Sequence, residues 1–324
     1  MKKIKVGVLF GGKSAEHEVS IKSAHNVIKA LNKKKYRVIP IKISKNGKFD
    51  FSVIKKADVI FPVLHGPFGE DGSMQGFLKI SGVPFVGPSV LGSAVGMDKD
   101  VMKRLFRDTG IPMGKFITLR AGDEVNFTRV KKELGLPLFV KPANMGSSVG
   151  ISKVRNEKEF KKGIREAFKF DTKIIIEEFI DGREIECAVL GNDNPMASVP
   201  GEIIANQEFY SYDAKYMDGG STVNIPAKLS PKTKKKIQLL AIKVFQTLNC
   251  EGMSRVDFFL KKNAKKNTEV LVNEINTIPG FTNISMYPKL WEASGIPIPK
   301  LLDRLIELAI ERFKREQKLK TTVN

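Results

Sequence analysis

Short apolar runs alternate with stretches of helical periodicity over the first hundred residues. After the first run, apolar side chains recur every three or four positions from Ile21 to Leu31, which predicts a helix capped by Ser20. A second, shorter helix is predicted to end at Gly82. The apolar runs predict buried strands at residues 3–12, 37–44, 58–66 and 83–87. Strands that alternate with helices favour a small parallel sheet with helices on both faces, up to about residue 97.

The rest of the chain follows a different pattern. A helix is predicted between Asp98, a typical N-cap, and Gly110. Beyond it, the pattern predicts strands at 136–142, 151–154, 173–180, 183–191, 195–204, 253–260 and 269–276, and helices at 157–170, 231–248 and 298–319. The fold class is therefore α/β in an N-terminal domain, residues 1–97, and α+β in two further parts, residues 98–182 and 183–324.

A long polar segment, residues 205–225, interrupts the last part. It is rich in Tyr, Asp and Gly. A loop of that length inside a domain is typically functional, and it predicts a lid over a site.

The chain is strongly basic. Its 324 residues include 55 Lys and Arg against 35 Asp and Glu, a net charge of +20. A nucleic-acid-binding protein is therefore the alternative from a different functional class. However, the lysines are dispersed, and their runs lack the interleaved aromatic residues on which bases stack. The same positive charge would also attract an anionic small molecule such as ATP. Neither nucleic acid nor a membrane is therefore expected as a partner.

Targeting segments and disulfides are not expected either. No apolar run is long enough to span a membrane. The first run is short, interrupted by glycine and without the small-residue cleavage site of a signal peptide. The two cysteines, Cys187 and Cys250, lack metal-ligand spacing, which favours two free thiols in the cytoplasm.

The glycines near the N-terminus match a phosphate-loop pattern that their context argues against. Gly7, Gly12, Lys13 and Ser14 satisfy Gly-x4-Gly-Lys-Ser. In a true phosphate loop the four intervening residues wrap the phosphates, whereas here three of them are apolar strand formers. We interpret the match as coincidence. What remains is a glycine turn at the carboxyl end of a strand, followed by Glu16, where ligands bind in open α/β sheets.

The densest cluster of candidate residues lies near the C-terminus. Arg255 and Asp257 share one face of a predicted strand, and Glu274 and Asn276 share one face of the next. If the strands form an antiparallel hairpin with Asp257 opposite Glu274, all four side chains converge. Acid and amide oxygens suit Mg²⁺ that bridges substrate phosphates, and an arginine beside them suits negative charge that develops during a reaction. A surface salt-bridge ladder is the alternative for the same residues.

Further candidates lie at glycine-rich turns. Gly280 is in a turn whose N–H can face an anion, and Ser285 after it is a candidate donor to a carboxylate. Lys141 lies in an apolar strand and needs an anionic partner. The small residues of the next loop, which includes Ser147 and Ser148, let backbone N–H groups approach a phosphate.

Two strand ends carry less specific candidates. One consists of Glu177, Glu178, Phe179 and Ile180. Its backbone suits adenine, and Glu184 after it suits ribose, while solvation of a strand end is the alternative for the two glutamates. His65 precedes a glycine-rich turn, which favours ligand contact over the structural role that a lone histidine more often has.

Several segments together resemble the D-alanine–D-alanine ligases of the ATP-grasp superfamily, in order, at matching spacing and nearly end to end. The longest are LFGGKSAEHEVS, HGPFGEDGSMQGFL, FVKPANMGSSVGISKV and NEINTIPGFTNISMYPKLWEASGI. The resemblance implies a Rossmann-like α/β domain followed by a two-subdomain ATP-grasp fold. It also implies ATP-dependent ligation of two D-alanines through an acyl phosphate, for peptidoglycan synthesis, by a cytoplasmic homodimer.

The resemblance also implies roles for individual residues. The implied ligands of two Mg²⁺ ions, which Mn²⁺ can replace, are Asp257, Glu274 and Asn276. The implied nucleotide contacts are Lys99, Phe139, Lys141, Ser147, Ser148, Glu177, Glu178, Phe179, Ile180, Glu184, Phe209, Lys215, Phe259 and Asn276. The implied catalytic and substrate contacts are Glu16 and His65 for the first D-alanine, Ser285 and Met286 for the second, Arg255 and Gly280 for the oxyanion, and Ser147 with Tyr216 for a hydrogen-bonded set that closes the lid.

The lid sequence bears on the second substrate. Related D-lactate-forming ligases have a histidine in this loop, whereas this chain has YSYDAKY and no histidine there. The resemblance therefore favours D-alanine over D-lactate. D-Serine stays open because that choice depends on the pocket around Met286 and Tyr287.

Overall fold

The computed structural model describes residues 2–205, 221–262, 268–320 and 322–323. Its strands form three sheets that follow one another along the chain. The strands are β1 (Ile4–Gly11), β2 (Tyr36–Ile43), β3 (Val59–Pro62), β4 (Phe116–Arg120), β5 (Leu138–Pro142), β6 (Ser152–Val154), β7 (Lys173–Glu178), β8 (Arg183–Gly191), β9 (Met196–Ala197), β10 (Gly201–Ala205), β11 (Ser221–Asn224), β12 (Gly252–Lys262) and β13 (Thr268–Asn276). The helices are α1 (His17–Ala30), α2 (Ser73–Ile80), α3 (Val90–Met97), α4 (Lys99–Asp108), α5 (Phe127–Leu134), α6 (Glu157–Ala167), α7 (Pro231–Thr247), α8 (Met286–Ala293) and α9 (Ile298–Glu316), with a 3₁₀ helix at Phe51–Lys56.

The first sheet is parallel, as the alternating pattern predicts. Its central strand β1 lies between β2 and β3. Val6 and Val8 on one face of β1 pack in a core with α1 and α9, whereas Leu9 on the other face packs with α2 and the 3₁₀ helix. The predicted strand at 83–87 is reduced to one bridge, between Ile60 and Phe85.

Helix α1 begins earlier than the sequence predicts. Its first residue is His17, so the prediction that Ser20 caps the helix is wrong. The Ser20 hydroxyl lies inside the first turn, where it accepts the Gly11 N–H at 2.8 Å and donates to the Val63 carbonyl at 2.5 Å. Ser20 therefore satisfies two buried backbone groups at the carboxyl ends of β1 and β3, which would be costly to leave unpaired.

The second sheet is antiparallel, in the order β4–β7–β5–β6. Helix α4 is joined to this sheet by ion pairs, whereas its apolar side chains Met102 and Phe106 pack in the core of the third sheet. It begins after Asp98, whose carboxylate caps the helix as predicted. Lys173 of β7 ties this helix start to the sheet through Asp98 at 2.6 Å and Asp100 at 3.4 Å. The anchor fixes the start of the helix, whereas the ammonium of Lys99, the next residue after the cap, is held separately by the Met145 carbonyl.

The third sheet has the order β11–β10–β8–β12–β13, with β9 paired to β8. Helix α7 packs on one face, and helices α8 and α9 join the sheet's other face to the core of the first sheet. The predicted strand at 195–204 is divided into β9 and β10, because Pro200 between them has no backbone donor. The short helices α3, α5 and α8, the 3₁₀ helix, and strands β4 and β11 are additional to the predicted elements.

The expectations for the cysteines, membrane spans, domain boundaries and lid can also be compared with the structure. Cys187 and Cys250 are buried free thiols, as predicted. Within the described ranges, no helix combines the length and the apolar character needed to cross a membrane. The predicted domain boundaries near residues 97 and 182 fall between the sheets and stay predictions. Most of the predicted lid, with Phe209, Lys215 and Tyr216, lies outside the described residues. The end of the segment predicted as a loop at 205–225 is instead a strand, because Ser221–Asn224 forms β11 and pairs with β10.

Candidate active site

The β12–β13 hairpin has the register that the sequence predicts. Asp257 lies opposite Glu274, and Arg255 lies opposite Asn276. Strand β8 continues the same patch, because Glu186 lies opposite Asp257 on the other side of β12. The hairpin therefore brings its charged side chains to one face, where they line a cleft of about 330 Å³.

Arg255 is held between two carboxylates. Its Nε and Nη2 donate to the two oxygens of Asp257 at 2.7 and 2.8 Å, and its Nε lies 3.0 Å from Glu186. Burial alone would lower the pKa of Arg255, but the attraction of Asp257 and Glu186 raises it well above its ordinary value. The Arg255 side chain is 18% exposed and that of Asp257 15%. The alternative of a surface ladder is therefore wrong, because these residues line the wall of a cleft.

Asn276 and its neighbours suit a divalent cation. The Asn276 amide oxygen is buried and accepts no hydrogen bond within the part of the chain that the structure describes. It shares its strand face with Glu274, opposite Asp257. No group of three His, Cys, Asp or Glu residues is arranged around a metal position in the described ranges. Two carboxylates and one amide oxygen nevertheless fit Mg²⁺, which takes one or two carboxylates and completes its shell with phosphates and water.

At the opposite wall of the cleft, Glu16 meets the serine loop. Glu16 precedes α1 without capping it, and the Ser147 hydroxyl donates to its carboxylate in a close contact. The backbone of Ser147 has φ of 50°, in the left-handed region. Gly146 permits the approach, because a Cβ there would lie 3.3 Å from the Glu16 carboxylate. The contact joins two remote segments that the family resemblance assigns to one site.

His65 is buried beside a glutamate that sequence reasoning missed. Its Nδ1 lies 3.1 Å from the Ile278 carbonyl and 3.7 Å from Glu70, and its Nε2 is buried without a hydrogen-bond partner. Burial lowers the pKa of His65, but Glu70 and Glu16 raise it more, so the net direction is upward. Burial also raises the pKa of Glu70, as does repulsion by Glu16. This group presents an unsatisfied imidazole nitrogen beside Glu16, which suits an anionic ligand group.

The turn after β13 presents a backbone donor and a hydroxyl side by side. A Cβ on Gly280 would lie 2.8 Å from the Ser285 hydroxyl, so a larger residue would displace that hydroxyl. The Gly280 N–H makes no hydrogen bond with a described residue. Ser285 precedes α8, and its hydroxyl accepts the Thr282 N–H at 2.9 Å. Ser285 lies at a helix N-terminus, which favours negative charge.

The second sheet contributes a chain of buried charges. Glu177 of β7 pairs with Lys103 of α4 at 2.7 Å and, in a closer contact, with Lys141 of β5. Although burial opposes it, the attraction of both lysines lowers the pKa of Glu177 to about 2. Burial lowers the pKa of Lys141, but Glu177 and then Glu274 raise it more, for a net rise. Because Lys141 interacts with Glu274, this sheet and the hairpin face the same cleft.

Lys99 lies between these two groups. Its ammonium donates to the Met145 carbonyl at 2.7 Å and lies 3.9 Å from Glu274. Burial lowers the pKa of Lys99, and repulsion by Lys141 adds to that, against the attraction of Glu274. Lys99 is therefore a cation placed where an anionic ligand would relieve both desolvation and repulsion.

Aromatic rings lie near the carboxyl end of β7. The rings of Phe139 and Phe179 are 6.1 Å apart, and the Lys153 ammonium lies 4.4 Å above the Phe179 ring. Glu178 accepts the Lys115 N–H at 2.7 Å, so its side chain fixes the start of β4. Ile180 is buried. These are suitable walls for a flat base, although their role stays a prediction.

The structure thus brings most predicted site residues together. Those that line the cleft are Glu16, His65, Lys99, Ser147, Glu184, Arg255, Asp257, Phe259, Glu274, Asn276, Gly280, Ser285 and Met286. The others lie beside it on the second sheet and its serine loop, namely Phe139, Lys141, Ser148, Glu177, Glu178, Phe179 and Ile180.

Comparisons with known proteins agree with this geometry. The family model of the D-ala D-ala ligase N-terminus matches residues 5–54 and 50–88. The family model of the D-ala D-ala ligase C-terminus matches residues 105–307. The D-alanine–D-alanine ligase of Oceanobacillus iheyensis is 49% identical, with 99% of each chain covered, and ligase A of Escherichia coli K12 is 47% identical over the whole of both. The chain belongs to the D-alanine–D-alanine ligase family.

Solved structures extend the same result to the fold. The D-alanine–D-alanine ligase of Coxiella burnetii has a TM-score of 0.87 at 41% identity, covering 98% of this chain and 97% of that one. The VanG D-Ala:D-Ser ligase of Enterococcus faecalis has a TM-score of 0.85 at 36% identity, covering 95% of this chain and 100% of that one. The D-alanine–D-alanine ligase of Bacillus anthracis complexed with ATP has a TM-score of 0.83 at 31% identity, covering 97% of this chain and 99% of that one. The predicted ATP-grasp fold is thereby confirmed.

Three charged residues at this ligase site were not predicted from the sequence. Glu70 lies in the segment that carries His65, Glu186 alternates with Glu184 along β8, and Lys103 follows Lys99 by one helical turn. Spacing alone would have placed each beside a predicted residue. The partners of Glu186 and Lys103, however, come from other elements of the ligase fold, and periodicity does not reveal those.

Proposed function

We propose that the protein joins two D-alanines into D-alanyl-D-alanine at the expense of ATP, for the synthesis of peptidoglycan precursors. Membership of the ligase family supports this function. The observation that carries it to this chain is the cleft itself, in which the Glu16–Ser147 pair faces the Arg255, Asp257, Glu274 and Asn276 cluster.

ATP would bind between the second and third sheets. Lys99 and Lys141 supply positive charge for its phosphates, and Phe139, Phe179 and Phe259 supply apolar surface for adenine. The ATP named for the Bacillus anthracis structure supports the same ligand here. Glu184, on the strand that borders Phe259, suits the ribose hydroxyls.

Mg²⁺ is the divalent ion that the acidic end of the cleft fits best, held by Asp257, Glu274 and Asn276, with Mn²⁺ as a substitute. The buried amide oxygen of Asn276 supports this assignment. When bound, Mg²⁺ neutralises phosphate charge and favours transfer of the terminal phosphoryl group.

The first step would activate a carboxylate. The carboxylate of the first D-alanine attacks the γ-phosphorus, an O–P bond forms and ADP leaves. Glu16 is placed to bind the ammonium of that D-alanine, and His65 to contact its carboxylate. The serine loop contacts Glu16 directly, so closure over the nucleotide would also order the amino-acid subsite and exclude water.

The second step would form the peptide bond. The amine of the second D-alanine attacks the acyl carbon, phosphate leaves, and the amine releases a proton. Arg255 and the Gly280 N–H would stabilise the oxyanion, because both residues line the cleft and the Gly280 N–H makes no hydrogen bond with a described residue. Ser285 at the start of α8 suits the carboxylate of this second substrate.

The second substrate is proposed to be D-alanine. The relatives with the higher identities carry the name D-alanine–D-alanine ligase, at 47–49%, against 36% for the D-Ala:D-Ser ligase. Met286, buried in the cleft wall, belongs to the pocket that would distinguish D-alanine from D-serine.

The test is an ATP-dependent assay of phosphate release and product identity with D-alanine, L-alanine, D-alanine plus D-serine, and D-alanine plus D-lactate. We expect phosphate and dipeptide with D-alanine alone and neither with L-alanine. Glu274→Ala should be inactive while its thermal unfolding stays cooperative. Absence of turnover with D-alanine would refute the function, and preferred formation of a D-lactate ester would refute the second substrate.

We also propose a cytoplasmic homodimer, on the family resemblance. Light scattering at several protein concentrations tests the assembly, and a constant mass equal to one chain would contradict it.

A further inference from the structure

The carboxylate of Glu177 is shared between two buried lysines that come from different elements. One oxygen pairs with Lys103 of α4 at 2.7 Å, and the other pairs with Lys141 of β5. The side chains of Lys103 and Glu177 are 4% and 9% exposed. Two ammonium groups and one carboxylate leave this buried trio with a net positive charge.

Of these three side chains, Lys141 is the one next to the cleft in which we propose that the nucleotide binds. Lys141 feels the charges of Glu274 and Glu184, both of which line the cleft, and its side chain is 12% exposed. The Lys103 side chain is 4% exposed and lies near the ring of Phe116, 5.8 Å from its centroid. Lys103 does not line the cleft and pairs with Glu177, so we assign its effect on a nucleotide to that carboxylate.

A carboxylate shared in this way has a consequence for Lys141. If Glu177 had Lys141 as its sole partner, the two would form a closed neutral pair, and the ammonium would gain little from a further anion. Because one oxygen of Glu177 pairs with Lys103, the single negative charge of Glu177 is shared between two ammonium groups. Glu177 therefore orients Lys141 without fully neutralising its positive charge. The Lys141 ammonium has three donors, so others stay available to a phosphate.

We propose that Lys103 is a positioning residue for the nucleotide, which acts through Glu177 to keep the Lys141 ammonium oriented and incompletely neutralised at the phosphate side of the cleft. This inference rests on the proposed function and deepens it. It assigns Glu177 to the control of Lys141 through its side chain, in addition to the predicted contact of its strand end with adenine.

The matched control is another buried lysine between the same helix and the same strand. Lys173 of β7 is 8% exposed and pairs with Asp98 and Asp100 at the start of α4. Lys103→Met and Lys173→Met therefore each remove one buried ammonium from the contact of α4 with β7. Only the first should alter the charge that faces a nucleotide.

The experiment measures ATP affinity directly, by titration calorimetry with Mg²⁺ and without D-alanine, and then the KM values for ATP and D-alanine. Lys103→Met should raise the Kd and KM for ATP about tenfold, since Glu177 would then form a closed neutral pair with Lys141, and leave the KM for D-alanine nearly unchanged. Lys103→Arg keeps the charge and should bind ATP within about threefold of the wild type. Lys173→Met should lower the melting temperature without a selective loss of ATP affinity.

Three results would overturn the proposal: unchanged ATP affinity in Lys103→Met, equal losses in Lys103→Met and Lys173→Met, or an arginine variant as weak as the methionine variant. If Lys103→Met does not fold, Lys103→Gln takes its place under the same expectations, with the rise in melting temperature on adding ATP as the readout. A wild-type protein that neither binds ATP nor forms dipeptide would refute the proposed function instead, so the two failures are distinguishable.

Discussion

The guanidinium of Arg255 binds the carboxylate of Asp257 at two points, Nε to Oδ1 at 2.7 Å and Nη2 to Oδ2 at 2.8 Å. The two residues are neighbours on one face of β12, so the pair forms within a single strand. Glu186 of β8 adds a second anion at 3.0 Å from Nε. Arg255 is thereby fixed in orientation before any substrate binds, which is the condition for stabilising charge without reorganisation.

Arg255→Lys should therefore lower kcat strongly, because an ammonium cannot reproduce a planar two-point contact. We expect a loss of about 10²–10³-fold in kcat with little change in ATP affinity, as on removal of an oxyanion donor. Steady-state kinetics and ATP titration measure the two effects. Arg315→Lys, at an exposed ion pair, is the control and should behave like the wild type. Equal kcat values in all three proteins would contradict the role of Arg255.

Asn276→Ala should separate metal binding from stability. The amide oxygen accepts no hydrogen bond from a described residue, so its removal leaves no donor unsatisfied, and the free energy of unfolding should change by less than about 1 kcal/mol. The Mg²⁺ concentration for half-maximal activity should rise by at least the roughly 10–100-fold typical of losing a supporting group at a metal site. Asn46→Ala, in an exposed turn, supplies the comparison. An unchanged Mg²⁺ requirement would remove Asn276 from the metal site.

Glu16→Gln should weaken the first amino-acid subsite selectively. A charged partner of an ammonium contributes about 1.5–3 kcal/mol, so the KM for D-alanine at this subsite should rise about 10–100-fold while the KM for ATP changes little. The variant keeps a hydrogen-bond acceptor for Ser147, which preserves the loop contact. Initial rates over a matrix of D-alanine and ATP concentrations resolve the two constants. A proportional rise in both would count against the assignment.

Glu177→Gln should make the free energy of unfolding depend less on pH under acidic conditions. The pKa of Glu177 is about 2 in the folded protein and 4.5 without its partners. Above pH 4.5 the carboxylate is ionised in both states and its full contribution, on the order of a few kcal/mol, is present. As the pH falls from 4.5 towards 2, the unfolded chain takes up the proton first and the contribution is lost.

Urea unfolding at pH 6, 5, 4 and 3 tests this dependence. The stability difference between the wild type and Glu177→Gln should be nearly the same at pH 6 and pH 5 and then shrink at pH 4 and pH 3. Glu166→Gln, at an exposed pair with Lys169, should show a far smaller trend. A difference that stays constant with pH would show that Glu177 does not titrate as its ion pairs require.

The hairpin was predictable because strand geometry leaves few alternatives. Side chains alternate with a period of two, so Arg255 with Asp257, and Glu274 with Asn276, must share faces once the segments are strands. Opposing them requires only an antiparallel connection. The Gly280 and Ser285 turn follows directly in the chain, so its place beside the hairpin is a local consequence.

What could not be predicted depends on contacts between remote segments. Ser20 looks like a helix cap, but Gly11 and Val63 use its hydroxyl, and α1 begins at His17. Likewise, the partner of Lys103 is a glutamate on a strand of another part of the chain. Local pattern specifies which face a residue occupies, whereas tertiary packing decides what it meets there.

The two buried cysteines also have a practical consequence. Burial raises the pKa of Cys187 to about 12 and that of Cys250 also far above its ordinary value, so neither thiol forms a thiolate at neutral pH. Maleimide reagents should leave the native fold unlabelled. A single cysteine introduced at an exposed site such as Lys158→Cys would then carry a fluorophore alone, which makes the unmodified sequence a ready background for optical measurements of domain motion.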